Sequence, residues 1–201
     1  RVGAKVIELK DSSLDEVFLK KAVNERRVYL NCEIDRTTIT KTKFMIDKIL
    51  LIDRMAGKSP RECEPITLVI NSYGGEVHAT LDMISYIRRL QRQNFVINTE
   101  CESIAMSGGF FIFITGNHRS CQEFAEFMCH DQRMVVYDLV TMGSLRDMFA
   151  DWSKQWNVLK EIVMEYTAIT DEQLELCVKE KRDWYLNSKE AIELKVVDDI
   201  V

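Results

Sequence analysis

The run Ile66-Thr67-Leu68-Val69-Ile70 restricts the fold more than any other stretch of this chain. It is apolar and β-branched without polar alternation, which is the signature of a strand covered on both faces, as in a parallel sheet flanked by helices. Asn71-Ser72-Tyr73-Gly74-Gly75 breaks the run. From Val77 to about Gln93 a helical period follows, with Leu81, Ile84, Ile87 and Leu90 on one side. A buried strand that turns through glycines into a helix is one unit of a right-handed crossover fold.

Similar units lie on both sides. Upstream, Ser13-Leu14-Asp15-Glu16 forms a capping box that opens a helix to about Asn24. A short strand is predicted from Val28 to Asn31. Asp35 then precedes a helix marked by Ile39, Met45, Ile46, Ile49, Leu50 and Ile52 and closed by Gly57. Residues 58–65 carry both prolines and read as a loop. Downstream, the pattern predicts a strand from Phe95 to Asn98, a helix starting at Ser107 and a strand from Glu126 to Cys129. A long helix from Ser144 to about Tyr166 carries Phe149, Trp152 and Trp156. Shorter helices start at Asp171 and Ser188, and Val196 to Ile200 closes as a strand. Alternating strands and helices predict an α/β domain with a largely parallel sheet and ligands at the strand ends. No repeat, linker or low-complexity stretch divides the 201 residues.

A net charge of −5 with scattered basic residues argues against a nucleic-acid partner. The longest apolar run, residues 110–114, is far short of the roughly 20 residues that a membrane span needs. No leader pattern opens the chain, although Arg1 in place of a methionine leaves room for an upstream piece; the expectation is a soluble, cytoplasmic protein. Six dispersed cysteines without a CxxC pair read as reduced, buried small hydrophobes. His118, Cys121, Cys129 and His130 fit no standard zinc spacing.

Candidate chemistry begins with main-chain amides, because an oxyanion needs donors in place before its charge appears. Gly74 and Gly75 stand at a strand-to-helix junction, where glycine permits both a tight turn and close approach of a substrate. Ser107 has the same setting one unit later, ahead of Gly108 and Gly109. Its hydroxyl is either exposed toward a substrate with the Gly108 amide beside it, or a plain helix N-cap. Three histidines are available as a general base. His118 lies in a polar turn, and His78 lies in the first turns of a helix, where the dipole disfavours a cation. His130 ends an apolar strand at the edge where sites in such sheets gather, and is favoured. With 32 aspartates and glutamates, residue types alone do not choose the carboxylate that would orient it.

At these residues the chain resembles ClpP, the proteolytic subunit of the Clp protease family, within the crotonase-like fold. The family runs a strand into Asn-Ser-Pro-Gly-Gly, similar to Asn71-Ser72-Tyr73-Gly74-Gly75 here. Its nucleophile motif is matched without a gap by Cys101, Ala105, Ser107, Gly109 and Gly116. An apolar-apolar-His pattern resembles Met128-Cys129-His130. A late stretch resembles Arg182-Asp183-Trp184-Tyr185-Leu186, Glu190-Ala191 and Val197-Asp198. The likeness spans about residues 18–201.

The resemblance implies one ClpP-like domain over residues 1–201, with a repeated β-β-α core and a protruding handle helix in the region of about residues 134–167. It implies a serine endopeptidase with Ser107 as nucleophile, His130 as general base and Asp183 as the orienting carboxylate. The amides of Gly75 and Gly108 would form the oxyanion hole, and neither metal nor cofactor would be required. Self-assembly into a heptameric ring, with stacking into a double ring, would enclose a chamber for peptides or unfolded proteins, and the aromatics of the handle helix would be buried between subunits. An AAA+ unfoldase would be the partner.

Departures from the family pattern are specific. Ser107-Gly108-Gly109-Phe110-Phe111 is closer to the nucleophile motif of signal-peptide peptidases in the same superfamily, and a gapped alignment would set Met106 at the nucleophile position. After the histidine, Asp131-Gln132-Arg133-Met134-Val135-Val136-Tyr137 lacks the family's proline and glycines. The N-terminal segment is shorter than the family's pore loop, and the chain stops at Val201, which leaves docking of an unfoldase open. The pattern looks like a phage-type member. Two rival readings share the fold: a non-catalytic ring subunit, and an acyl-CoA enzyme using the same paired amides.

Overall fold

The computed structural model describes residues 14–133, 136 and 139–201. The capping residue expected at Ser13 lies outside the described residues, as do Met134, Val135, Tyr137 and Asp138 in the expected handle region.

Helix α1 (Leu14–Glu25) leads into strand β1 (Arg27–Leu30), whose Val28 and Leu30 are fully buried beside Leu68 and Ile70 of β2 (Ile66–Ser72) in parallel register. Asp35 caps α2 (Arg36–Met55): its carboxylate accepts from the Thr38 amide at 2.7 Å, and the Thr38 hydroxyl accepts from the Asp35 amide at 2.9 Å. The proline segment forms one short 3-10 turn, Pro60–Glu62. From β2 the chain turns through Gly74-Gly75 into α3 (Val77–Arg92), as the sequence predicts.

Strand β3 (Ile97–Met106) is much longer than the predicted Phe95–Asn98 and runs directly to Ser107 without a loop. Its interior positions Ile97, Thr99, Cys101 and Ala105 are buried, but charged residues alternate with them and disguise the pattern. Glu100 is tolerated there because the Arg27 guanidinium reaches it with two bonds of 2.7 and 2.9 Å.

Among the described residues the sheet has seven strands and forks along β3. The first half of β3 pairs with β4 (Arg119–Cys121), which pairs in turn with β7 (Asp199–Ile200). The second half pairs with β5 (Glu126–Cys129) in parallel, and β5 pairs with β6 (Trp184–Asn187) antiparallel. Strands β4 and β6 are too short to leave a periodic signal in the sequence. Val196 and Val197 precede β7 instead of belonging to it, and both are bonded through their amides to the Ala191 carbonyl of α7 (Ser188–Glu193).

Helix α4 (Gly108–Phe113) is buried at every position. Phe113 packs on Phe127 of β5 with ring centroids 5.0 Å apart, which ties the helix after Ser107 to the strand before His130. Helix α5 (Met142–Tyr166) is amphipathic in two different ways along its length. Trp156, Leu159, Ile162 and Val163 join the core of this chain, which corrects the expectation that Trp156 is reserved for a contact between subunits. The first half of the helix exposes Met142, Leu145 and Phe149. Helix α6 (Asp171–Glu180) then precedes β6.

All six cysteines are free. Cys101, Cys121, Cys129 and Cys177 are buried as expected, whereas Cys32 is exposed and Cys63 half-buried. No helix among the described residues is long and apolar enough to cross a membrane. Nor is any group of three or more His, Cys, Asp or Glu among them placed to hold a metal ion.

Candidate active site

Ser107 joins the end of β3 to the start of α4 with φ 51° and ψ −121°, a conformation that non-glycine residues rarely adopt. Two contacts hold it there. The Ser107 amide donates to the Met128 carbonyl of β5 at 2.8 Å. On the other side lies Gly74, where a Cβ would stand 2.6 Å from the Ser107 Cβ, so glycine is required for the β2 turn to come this close. Gly75 is equally constrained, since a Cβ there would meet the Ile34 carbonyl oxygen at 2.1 Å.

The hydroxyl of Ser107 makes no capping bond to α4. Its Oγ lies 2.8 Å from Nε2 of His130, the residue that follows β5. Nδ1 of the same ring contacts the main-chain oxygen of Asp131. A carbonyl oxygen can only accept, so Nδ1 carries the proton and Nε2 is left to accept from the serine hydroxyl. That is the tautomer a general base requires.

Asp183 immediately precedes β6. The antiparallel register pairs Met128 with Tyr185 and Cys129 with Trp184, the last pair before the chain reaches His130 on one side and Asp183 on the other. The Asp183 carboxylate is occupied elsewhere: it forms an ion pair with Arg133. The Arg133 side chain is 68% exposed and that of Asp183 28%. Burial pushes the neighbouring Asp131 carboxyl above its ordinary pKa, despite the bond it accepts from the Gln132 amide.

Ser107, His130, Gly75 and Gly108 line one cavity of about 300 Å³. A Cβ on Gly108 would be 3.5 Å from the Gly75 nitrogen, so the two backbones approach each other closely. Gly108 is the first residue of α4, and its amide has no intrahelical acceptor. The Gly75 amide is likewise left over by the adjacent bridge, which uses the Gly74 carbonyl and the Glu76 amide against Ile34. The cavity thus brings together a hydroxyl, a base in the right tautomer and two main-chain donors. This set is suited to acyl transfer through a tetrahedral oxyanion.

The other predicted candidates lie elsewhere. His78 is exposed on α3, and His118 is exposed with its Nδ1 4.0 Å from Asp198 Oδ2. Met106 is buried at the end of β3. Three features escape the sequence reading: the positive φ of Ser107, the hold of Arg133 on Asp183, and the burial of Gln132 in the cavity wall. For the first, a faint signal exists in the glycines at positions 74, 108 and 109, which make room for a sharp turn. The other two depend on side-chain placement that no spacing encodes.

Compared with known families, the sequence matches the family described as Clp protease over residues 11–201. The match spans nearly the whole chain, including the glycine, serine and histidine segments that line the cavity and the segment that carries Asp183. Fold, motif order and family match therefore agree, and the chain belongs to the Clp protease family.

Proposed function

We propose that the protein is a serine endopeptidase in which Ser107, His130 and Asp183 act as a triad and the amides of Gly75 and Gly108 form the oxyanion hole. The observation that carries this reading is the 2.8 Å contact between Ser107 Oγ and His130 Nε2, with the tautomer set by the Asp131 carbonyl. The hydroxyl attacks a peptide carbonyl while Nε2 takes its proton. The two amides hold the oxyanion, and the imidazolium returns the proton to the departing amine. Water then repeats the sequence on the acyl-enzyme.

Asp183 has to leave Arg133 and turn to His130 Nδ1 as the imidazolium forms, displacing the weaker neutral carbonyl of Asp131. Support for this movement comes from the β5–β6 pairing, which ends at Cys129 and Trp184, the residues next to His130 and Asp183 in the chain. Members of the Clp protease family generally form oligomeric rings, and in this reading the site faces a chamber of such a ring. Its substrates are peptides or unfolded chains, delivered in the cytoplasm by an AAA+ unfoldase where one docks. The exposed apolar residues at the start of α5 support a contact between copies.

Reaction of the assembled protein with a fluorophosphonate, followed by peptide mapping, tests the chemistry. An adduct on Ser107 that is absent from Ser107→Ala is the expected result. An assembled protein that forms no adduct is a non-catalytic ring subunit, and turnover of an acyl-CoA thioester without an adduct would assign the rival enzyme class.

A further inference from the structure

Gln132 is 7% exposed, and it lines the same cavity as Ser107 and His130. Neither its Oε1 nor its Nε2 has a hydrogen-bond partner, and both atoms are closed off from solvent. A buried amide with both ends unpaired is costly, and a leucine or methionine of similar size would fill the space without that penalty. Val77, Phe111, Met128 and Leu159 of the cavity wall are apolar, the Thr80 hydroxyl donates to the Glu76 carbonyl at 2.9 Å, and the polar lining residues Tyr73, Ser107, His130 and Arg133 make no hydrogen bond to the Gln132 side chain. The side-chain amide is thus an unsatisfied donor and acceptor in the same pocket as Ser107 and His130.

Resting on the hydrolase reading above, we propose that Gln132 is a specificity-determining residue that selects a substrate side chain with an uncharged carboxamide tip, on the acyl side of the cleaved bond. Val77, Phe111, Met128 and Leu159 cover the aliphatic stem of that side chain. A carboxamide presents an N–H and a C=O side by side, so it can pair with the Gln132 amide through two parallel hydrogen bonds and satisfy both orphaned atoms at once. Gln132 reaches this pairing by rotation about its own side-chain bonds. A leucine in the same place would leave the amide unpaired, as it is at rest. Sites built to hydrogen-bond a substrate discriminate strongly against analogues that lack the partner.

The test compares two fluorogenic peptides that differ only in the residue acylating Ser107, glutamine in one and leucine in the other. For the wild-type protein kcat/KM is expected to favour glutamine by about tenfold or more. Gln132→Leu should reverse the order while still taking up a fluorophosphonate at Ser107, and should melt no lower than wild type. Gln132→Met carries the same comparison if the leucine variant does not fold. An identical glutamine-to-leucine ratio in wild type and variant, with Ser107 labelled in both, would overturn the role of Gln132 and leave the hydrolase reading standing. Absence of both labelling and hydrolysis in wild type would overturn the hydrolase reading itself, and this assignment with it.

Discussion

Ser107 occupies backbone space that suits glycine, and holding a serine there costs about 1–3 kcal/mol. Glycine would relieve the strain but adds about 0.4–1 kcal/mol of freedom to the unfolded chain. Ser107→Gly is therefore expected to be more stable than Ser107→Ala by about 1 kcal/mol, or about 2–4 °C in Tm at this chain length. Both variants should be inactive, so calorimetry separates the strain from the chemistry. Arg133 gives a second expectation. Its exposed ion pair with Asp183 is worth about 0–1 kcal/mol, so removing it should release Asp183 toward His130 and raise kcat/KM by up to about fivefold. In an Asp183→Asn background the gain from Arg133→Ala should vanish, which a double-mutant cycle on peptide turnover would read. Ser107 and His130 could be picked from the sequence because residue type, strand ends and glycines point to them. Asp183 could be picked only through the family likeness, because it lies more than fifty residues from His130 and the pairing of β5 with β6 leaves no local trace.

Strand β3 shows why element boundaries were harder to read than element order. Its polar positions Asn98, Glu100 and Glu102 look like loop, yet Glu100 is paired with Arg27 across the sheet, a compensation invisible to any local window. The buried strand β2 and the helices α2 and α3 were legible because burial on one or both faces writes a period into the residues. Helix α5 combines two roles: its second half completes the core, while Met142 and Phe149 remain 69% and 67% exposed. A carboxylate placed in that apolar patch should block association without unfolding the chain. For Phe149→Asp the expected result is a smaller assembly by analytical ultracentrifugation, with an unchanged circular dichroism spectrum. An unchanged assembly size would remove the α5 patch from the contact between copies.

Far from the cavity, Arg119 binds the closing segment of the chain to the sheet. Its Nε and main-chain amide each donate to Asp198 Oδ2 at 2.9 Å, Nη2 donates to Oδ1 at 2.5 Å, and Nη1 donates to the Tyr166 carbonyl at 2.6 Å. Burial pushes the Asp198 carboxyl up, but the bonds from Arg119 outweigh it and hold it below its ordinary value of 3.8. A carboxyl lowered by folding stabilises the protein above its unfolded pKa, and that contribution is lost as pH falls through the lower, folded value. Asp198→Asn should thus cost about 1–2 kcal/mol near neutrality. Its unfolding curve should converge with that of wild type below about pH 4, as urea titrations across the acid range would show. Ser107, by contrast, is anchored to β5 through the Met128 carbonyl and sits on a helix with no exposed face. No peripheral flap carries the Ser107 hydroxyl, so, if it is the proposed nucleophile, gentle warming should spare labelling by organophosphorus probes until the entire chain melts.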